Sequence, residues 1–197
     1  MSDASLSVGQ SAIRSWIVFL ALAAVSAGVD LTTKSIAFAR LGMPGVGPRH
    51  DLIPGVLMLE TNLNEGALFG MGQGLGLAFA AVSVLAIAGI LAMMAKQTTR
   101  DDLILVTALG LIVGGIVGNL YDRLGLPGLA WHAPAERIGE PVRAVRDWIH
   151  CVLPGVIDWP IFNLADTWLV IGAGLILLVS LRPTPAARTA ASEAPPA

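Results

Sequence analysis

The sequence predicts an all-α membrane protein: four transmembrane helices carrying, at one end, a small subdomain that is partly β or amphipathic-helical. Three observations lead there. Of 197 residues, 55% are hydrophobic and 13% charged, too apolar for a soluble domain unless the apolar residues are scattered through short elements. They are instead gathered into four uncharged runs, 15–29, 66–95, 103–121 and 167–181. Four crossings would bring the end of the first run, the start of the second, the end of the third and the start of the fourth to one side, and every unusual polar cluster falls there.

Each span follows from its run and its neighbours. The first and fourth runs hold 15 residues, roughly 22 Å of helix against a hydrocarbon core of about 30 Å. Each must therefore take in polar neighbours, Asp30 and Lys34 for the first, Asn163 and Asp166 for the fourth. The expected spans are 15–38, 66–95, 103–121 and 162–181, within one membrane domain over 14–182. Residues 1–13 and 183–197 read as polar tails, disordered by composition. A cleavable leader competes for the first run, because Arg14 precedes it and small residues follow; apolar periodicity through Ile36 and Phe38 argues against it.

The polar clusters carry the chemistry. Asp30 and Lys34 are spaced i, i+4 with the acid first, the favourable order for a helical ion pair. Asn119, Asp122 and Arg123 share one helix face, and so do Asn163 and Asp166. Asn62, Asn64 and Glu65 open the second run. Ionisable groups at membrane depth are costly unless paired or facing a watery cavity, which makes each a functional candidate. Asp30 with Lys34, and Asp122 with Arg123, also read as structural pairs; Asp166 has no basic residue within a turn.

Other chemistries are excluded or weakened. The net charge of −2 and the lack of a basic tract give no nucleic-acid surface. Cys151 is the single cysteine, and with His150 adjacent the two side chains diverge, against a nucleophile and base. His50, His132 and His150 show no metal-ligand spacing. "GMGQGLG" at 70–76 follows no strand and precedes no Gly-Lys-Ser/Thr, so a phosphate loop is not supported. Gly110, Gly114 and Gly118 form a stripe for close helix approach. Carboxylates remain: Asp30, Asp51, Glu60, Glu65, Asp122, Asp147, Asp158 and Asp166 all fall on the same side. Two held close cannot both ionise easily, so one acts as acid while the other activates water, which hydrolyses peptides without a metal.

"DLTTK" at 30–34, "NEGALFG" at 64–70, "GNLYDR" at 118–123 and "FNLAD" at 162–166, in this order at the borders of four spans, resemble lipoprotein signal peptidase, also called signal peptidase II. The resemblance covers residues 15–181. It implies an intramembrane aspartic peptidase of the bacterial inner membrane that removes the signal peptide from prolipoproteins just before a diacylglyceryl-modified cysteine, with no metal or cofactor. It places the site and its subdomain at the outer face and the tails in the cytoplasm; the distribution of Lys and Arg alone does not decide this.

Residue by residue, Asp166 matches one catalytic aspartate and Asp147 of "VRDWI" the other, with Asp158 of "VIDWP" competing for the second role. Asn64, Gly66, Asn119, Asp122, Arg123, Asn163 and Ala165 match positions that shape the site and orient substrate. Asp30 and Lys34 match a structural pair, and Arg123 is expected to hold Asp122. The expected partners are diacylglyceryl-prolipoproteins and membrane lipids, with globomycin-type inhibitors binding by the same resemblance, and the chain is expected to be a monomer. Two other classes stay open: a small ion- or proton-coupled transporter, and a non-enzymatic membrane assembly subunit. One departure is the long connection between Arg123 and Asp147. Apolar residues at 142, 145, 149 and 152 give its end a helical stripe, read as an interfacial amphipathic segment or a solvated loop. Trp131, Trp148, Trp159 and Trp168 fall on the same side, where indoles favour the headgroup zone.

Overall fold

The computed structural model describes residues 3–66 and 74–182. Four long helices, α1 (Asp3–Leu41), α2 (Gly76–Met94), α4 (Leu103–Arg123) and α5 (Leu164–Ser180), pass back and forth, with a one-turn helix α3 (Gln97–Arg100) between α2 and α4. Among the described residues, three stretches are long and apolar enough to cross a membrane: Gln10–Leu41, Gly76–Met94 and Leu103–Arg123. Helix α5 is equally apolar but has 17 residues, roughly 25 Å of rise.

The boundaries differ from the sequence reading in three places. Helix α1 begins at Asp3, so most of the expected N-terminal tail is helical. Helix α2 begins at Gly76, ten residues inside its apolar run; Gly74, with φ of 81°, makes the turn into it. Residues 67–73 of that run, the start of the "GMGQGLG" stretch and the C-terminal tail at 183–197 lie outside the described residues.

Glycine sets how closely the helices pack. A Cβ on Gly110 would meet the Phe19 carbonyl oxygen at 3.0 Å, and one on Gly114 would collide with Ser26 of α1. The stripe therefore seats α4 on α1, and the core of this contact is Phe19, Val106, Leu109 and Val113 with Met94. One position further round, a Cβ on Gly115 would lie 2.6 Å from the Ala165 carbonyl oxygen, so the opposite face of α4 admits α5. At the far end Asp102 caps α4 by accepting from the Ile104 and Leu105 amides at 3.0 and 3.1 Å, satisfying amides the helix leaves open. Arg182 reaches the same carboxylate at 2.8 Å.

An antiparallel sheet, in the order β1 (His50–Ile53), β2 (Leu57–Asn64), β3 (Val145–Leu153), β4 (Ile157–Asp158), sits at the other end. Both of its hairpins turn on Pro-Gly: Val56 N donates to Ile53 O and Val156 N to Leu153 O, each at 2.9 Å. Gly55 and Gly155 hold φ of 71° and 76°, where a side chain would be strained and glycine is not. In the central pair Leu57 opposes Cys151 and Asn64 opposes Val145, with a register shift between Leu59 and Asn62. The segment from Val145 is thus a strand and neither an amphipathic helix nor a solvated loop. Its apolar spacing is compatible with a helix, but β2 supplies a ladder partner, and Val145, Arg146 and Asp147 are buried on both sides.

Candidate active site

Three helices and the central strand meet at the sheet end of the bundle. Helix α5 starts there with a reciprocal capping box. The Asn163 carboxamide oxygen accepts from the Asp166 amide at 3.1 Å, and an Asp166 carboxylate oxygen accepts from the Asn163 amide at 3.2 Å. The cap fixes Asp166 in the first turn, where open amides and the helix dipole favour a negative charge. The Asn163 Nδ2 donates to Asp147 Oδ1 at 2.6 Å and to Asn119 Oδ1 at 3.2 Å. Asn163 therefore bonds the Asp147 carboxyl through its side chain and the Asp166 carboxylate through its backbone amide.

Asn119, near the end of α4, is oriented from the other side. Its oxygen accepts from Lys34 Nζ at 2.9 Å and its Nδ2 donates to Asp166 Oδ1 at 2.9 Å. An ammonium can only donate, so Lys34 determines which end of the amide faces Asp166. Lys34 is fully buried and spends its other donors on Asp30 at 2.8 Å and Asp122 at 3.1 Å. Asp122 also accepts from Arg146 Nε at 2.8 Å and from the Arg146 amide at 3.1 Å. Asp30 Oδ1 takes the Ala165 amide at 2.9 Å, a bond that ties α1 to the first turn of α5. Ala165 is buried against Gly115 and Gly118 of α4.

The expected Asp122–Arg123 pairing is corrected here. Consecutive helical residues point about 100° apart, and Asp122 faces Lys34 and Arg146 while Arg123 turns the other way. Arg123 donates to the Gly66 carbonyl oxygen at 3.2 Å and its guanidinium lies 5.4 Å from the Phe79 ring centre. Arg146 and Gly115 are the residues that sequence reasoning missed. The sequence signal for Arg146 is its place beside Asp147 in a strand, since neighbours there face opposite sides. For Gly115 it is a glycine one position off the stripe.

A cleft of about 520 Å³ opens beside these groups, lined by Asn64, Gly66, Asn119, Arg123 and Asp166 with an apolar wall that includes Phe162 and Leu169. Asp147 is 1% exposed and is bonded to Asn163, next to cleft-lining Phe162 in the chain. Burial, followed by the proximity of Asp166, pushes its carboxyl up to about 7; Asn163, Lys34 and Asn64 oppose this. Its Oδ2 is buried. Asp158, the competing second aspartate, is elsewhere: its side chain is 73% exposed and lies 2.6 Å from His150 Nε2. His150 also contacts Glu60 through Nδ1. No group of three or more His, Cys, Asp or Glu suited to a metal occurs among the described residues.

The family model for signal peptidase (SPase) II matches residues 22–182. The chain belongs to the signal peptidase II family. A lipoprotein signal peptidase of Rhodopirellula baltica is 41% identical over 170 residues, 84% of this chain and 72% of its own length. One from Symbiobacterium thermophilum is 33% identical over 159 residues, 81% of this chain and 91% of its own. A solved bacterial membrane enzyme shares the fold with a TM-score of 0.67 at 27% identity, covering 83% of this chain and 87% of that one. With three helices able to span a bilayer, this signal peptidase II is a multi-pass membrane protein. Membership does not favour the transporter or assembly-subunit readings.

Proposed function

We propose that this chain is an aspartic endopeptidase that removes signal peptides from diacylglyceryl-modified prolipoproteins, cutting just before the lipidated cysteine. The observation that carries this is that Asn163 bonds Asp147 through its side-chain amide and the Asp166 carboxylate through its backbone amide, with Asp166 lining a cleft that has an apolar wall. Two carboxyls in mutual electrostatic contact share a proton. Asp147, pushed up by burial, is the member that holds it. Each Asp166 oxygen accepts a hydrogen bond, the pattern that suits an anion, and at the helix N-terminus it acts as general base.

In the reaction Asp166 takes a proton from a water as that water attacks the scissile carbonyl. Asp147 donates its proton toward the carbonyl oxygen as the tetrahedral intermediate forms. The proton on Asp166 then goes to the departing amine while Asp147 takes back a proton from the collapsing diol as the new carboxyl group forms, which returns the pair to its starting state. Asn119 and Asn163 hold the carboxyls apart and in register without adding a charge that would upset proton sharing. The apolar wall suits the lipid and signal-peptide parts of such a substrate.

The same reading places α5 as a fourth, short span, the site at the outer face of the bacterial inner membrane and the tails in the cytoplasm. It includes binding of globomycin-type inhibitors and action as a monomer. The experiment is cleavage of a diacylglyceryl-modified prolipoprotein by purified protein, beside the unlipidated substrate and the Asp147→Asn, Asp158→Asn and Asp166→Asn variants. Lipid-dependent cleavage lost at Asp147 and Asp166 is expected. Loss at Asp158 in place of Asp147 would reassign the dyad, and a folded wild type without activity would refute the peptidase reading.

A further inference from the structure

The long connection between α4 and β3 is a hairpin of its own. Trp131 N donates to Glu140 O and Val142 N to Leu129 O, each at 2.9 Å, and Gly139 N closes onto Trp131 O at 2.9 Å. A single 3-10 turn, Ala135–Arg137, stands at its tip. There the Arg137 guanidinium lies 4.1 Å from the Trp131 ring centre and takes Glu140 at 3.2 Å. Its two terminal nitrogens grip both oxygens of Glu65, at 2.9 and 3.0 Å. Stacking with a two-pronged carboxylate contact holds a guanidinium in one orientation, which lysine cannot reproduce.

Glu65 is not an arbitrary anchor. It lies between Asn64 and Gly66, which both line the cleft. Asn64 Oδ1 accepts from Gly66 N at 3.0 Å, its amide opposes the upward push on Asp147, and Gly66 O receives Arg123 at 3.2 Å. The other end of the hairpin runs through buried Val142 and Ala144 into β3, where Val145 opposes Asn64. The hairpin thus bridges the exit of β2 to the strand that carries Asp147.

We infer that Arg137 is a positioning residue: through Glu65 it fixes Asn64 beside Asp147 and Gly66 beside Arg123, and so sets one wall of the cleft. This rests on the peptidase reading for its kinetic consequences and on geometry alone for the grip. An ordinary exposed ion pair, worth little to stability, would leave the cleft unchanged.

The test uses full-length protein in detergent or nanodiscs with Arg137→Gln, Arg137→Lys, Glu65→Gln and the exchanged pair Arg137→Glu with Glu65→Arg. On a diacylglyceryl-modified prolipopeptide, Arg137→Gln and Glu65→Gln are expected to lower kcat about tenfold, a modest misplacement of reacting groups. Combining them should cost no more than either alone. The limb of the pH profile that reports Asp147 should move upward as Asn64 drifts away. Asp147 is also faced by Asp166 from α5, Lys34 from α1 and Arg123 from α4, none of which these variants alter. The exchanged pair should recover part of the rate, whereas Arg137→Lys should resemble Arg137→Gln.

Amide hydrogen exchange at Glu65 and Gly66 reads the grip without catalysis and should quicken in the singles. Wild-type kcat and pH profile in the singles, or unchanged exchange, would overturn the inference. Parallel loss of Tm and rate in every variant, the exchanged pair included, would assign Arg137 to general stability and overturn it too. A wild type that does not cleave, with exchange quickened in the variants, would refute the peptidase reading and leave the grip standing.

Discussion

Two clusters of carboxylates share Asn119, and they are built on opposite rules. On the α1 side, Asp30 and Asp122 are matched by Lys34 and Arg146 through four contacts of 2.8 to 3.1 Å. On the α5 side, Asp147 and Asp166 are joined by the neutral amides of Asn163 and Asn119, and among the described residues neither carboxylate is in a salt bridge. Carboxylates that meet a cation in a low-dielectric site are settled as anions and hold elements together. Carboxylates that meet each other keep a proton in play. The first cluster is a structural joint among α1, α4 and β3. The second is the pair to which the proposed mechanism assigns proton transfer.

The sharpest way to break this contrast is to remove each cluster's essential feature and ask what fails. Asp166→Asn or Asp147→Asn should lower cleavage by about a thousandfold or more, because the acid–base pair acts as a unit, with the variant still folded. Full cleavage by either folded variant would end the contrast. Lys34→Met should fail differently. It leaves buried Asp30 without its cation and Asp122 with Arg146 alone, at a cost of about 3–5 kcal/mol, and it frees the Asn119 amide to flip away from Asp166. Thermal unfolding should show a large drop for Lys34→Met, and unchanged stability would remove the cluster's structural role.

Stability also depends on pH differently for the two clusters. Asp147 is raised from 3.8 to about 7 in the fold, so the folded chain binds a proton that the unfolded chain has released. Its contribution to stability therefore falls as pH rises through the window from about 4 to about 7. Asp147→Asn removes that cost, up to about 4 kcal/mol above the window and none below it. The variant should thus have a higher Tm than wild type at pH 8 and an equal one near pH 4. An equal or lower Tm at pH 8 would mean that Asp147 is held as a compensated anion.

How far these clusters can be read in sequence depends on the range of the contacts. Uncharged runs mark the helices because lipid tolerates little else, and the i, i+4 spacing of Asp30 and Lys34 points to a contact within one helix turn. The sequence also gathers the polar groups at one end, since alternate crossings do so whatever the packing. It does not give partners across elements. Asp122 precedes Arg123 in the chain yet pairs with Arg146, 24 residues away, because helix geometry turns neighbours apart. The strand at Val145 is hidden for the same reason: its partner β2 lies about 80 residues earlier, and periodicity over a short apolar stretch does not separate helix from strand. The sequence prefers Asp147 to Asp158 through the family resemblance, but no local pattern encodes that Asp147 is buried and Asp158 exposed.

The smallest effect belongs to Asp158, the aspartate whose sequence context nearly equals that of Asp147. Its exposed carboxylate holds one edge of His150 while Glu60 holds the other, tying β2, β3 and β4 together on the sheet. Burial of the ring lowers the His150 pKa, but the Asp158 and Glu60 bonds outweigh it and the net direction is upward. A raised histidine stabilises the fold fully below its unfolded value of 6.5 and loses that contribution as pH rises through the folded one. Asp158→Asn should therefore lower Tm by a few degrees at most, at pH 6 and not at pH 9, and should leave cleavage within about twofold, since surface substitutions away from a site change little. Loss of cleavage on the scale of Asp147→Asn would mean that the sheet edge, and not the amide-joined pair, supplies the second carboxyl, and the contrast between the two clusters would have to be redrawn around His150.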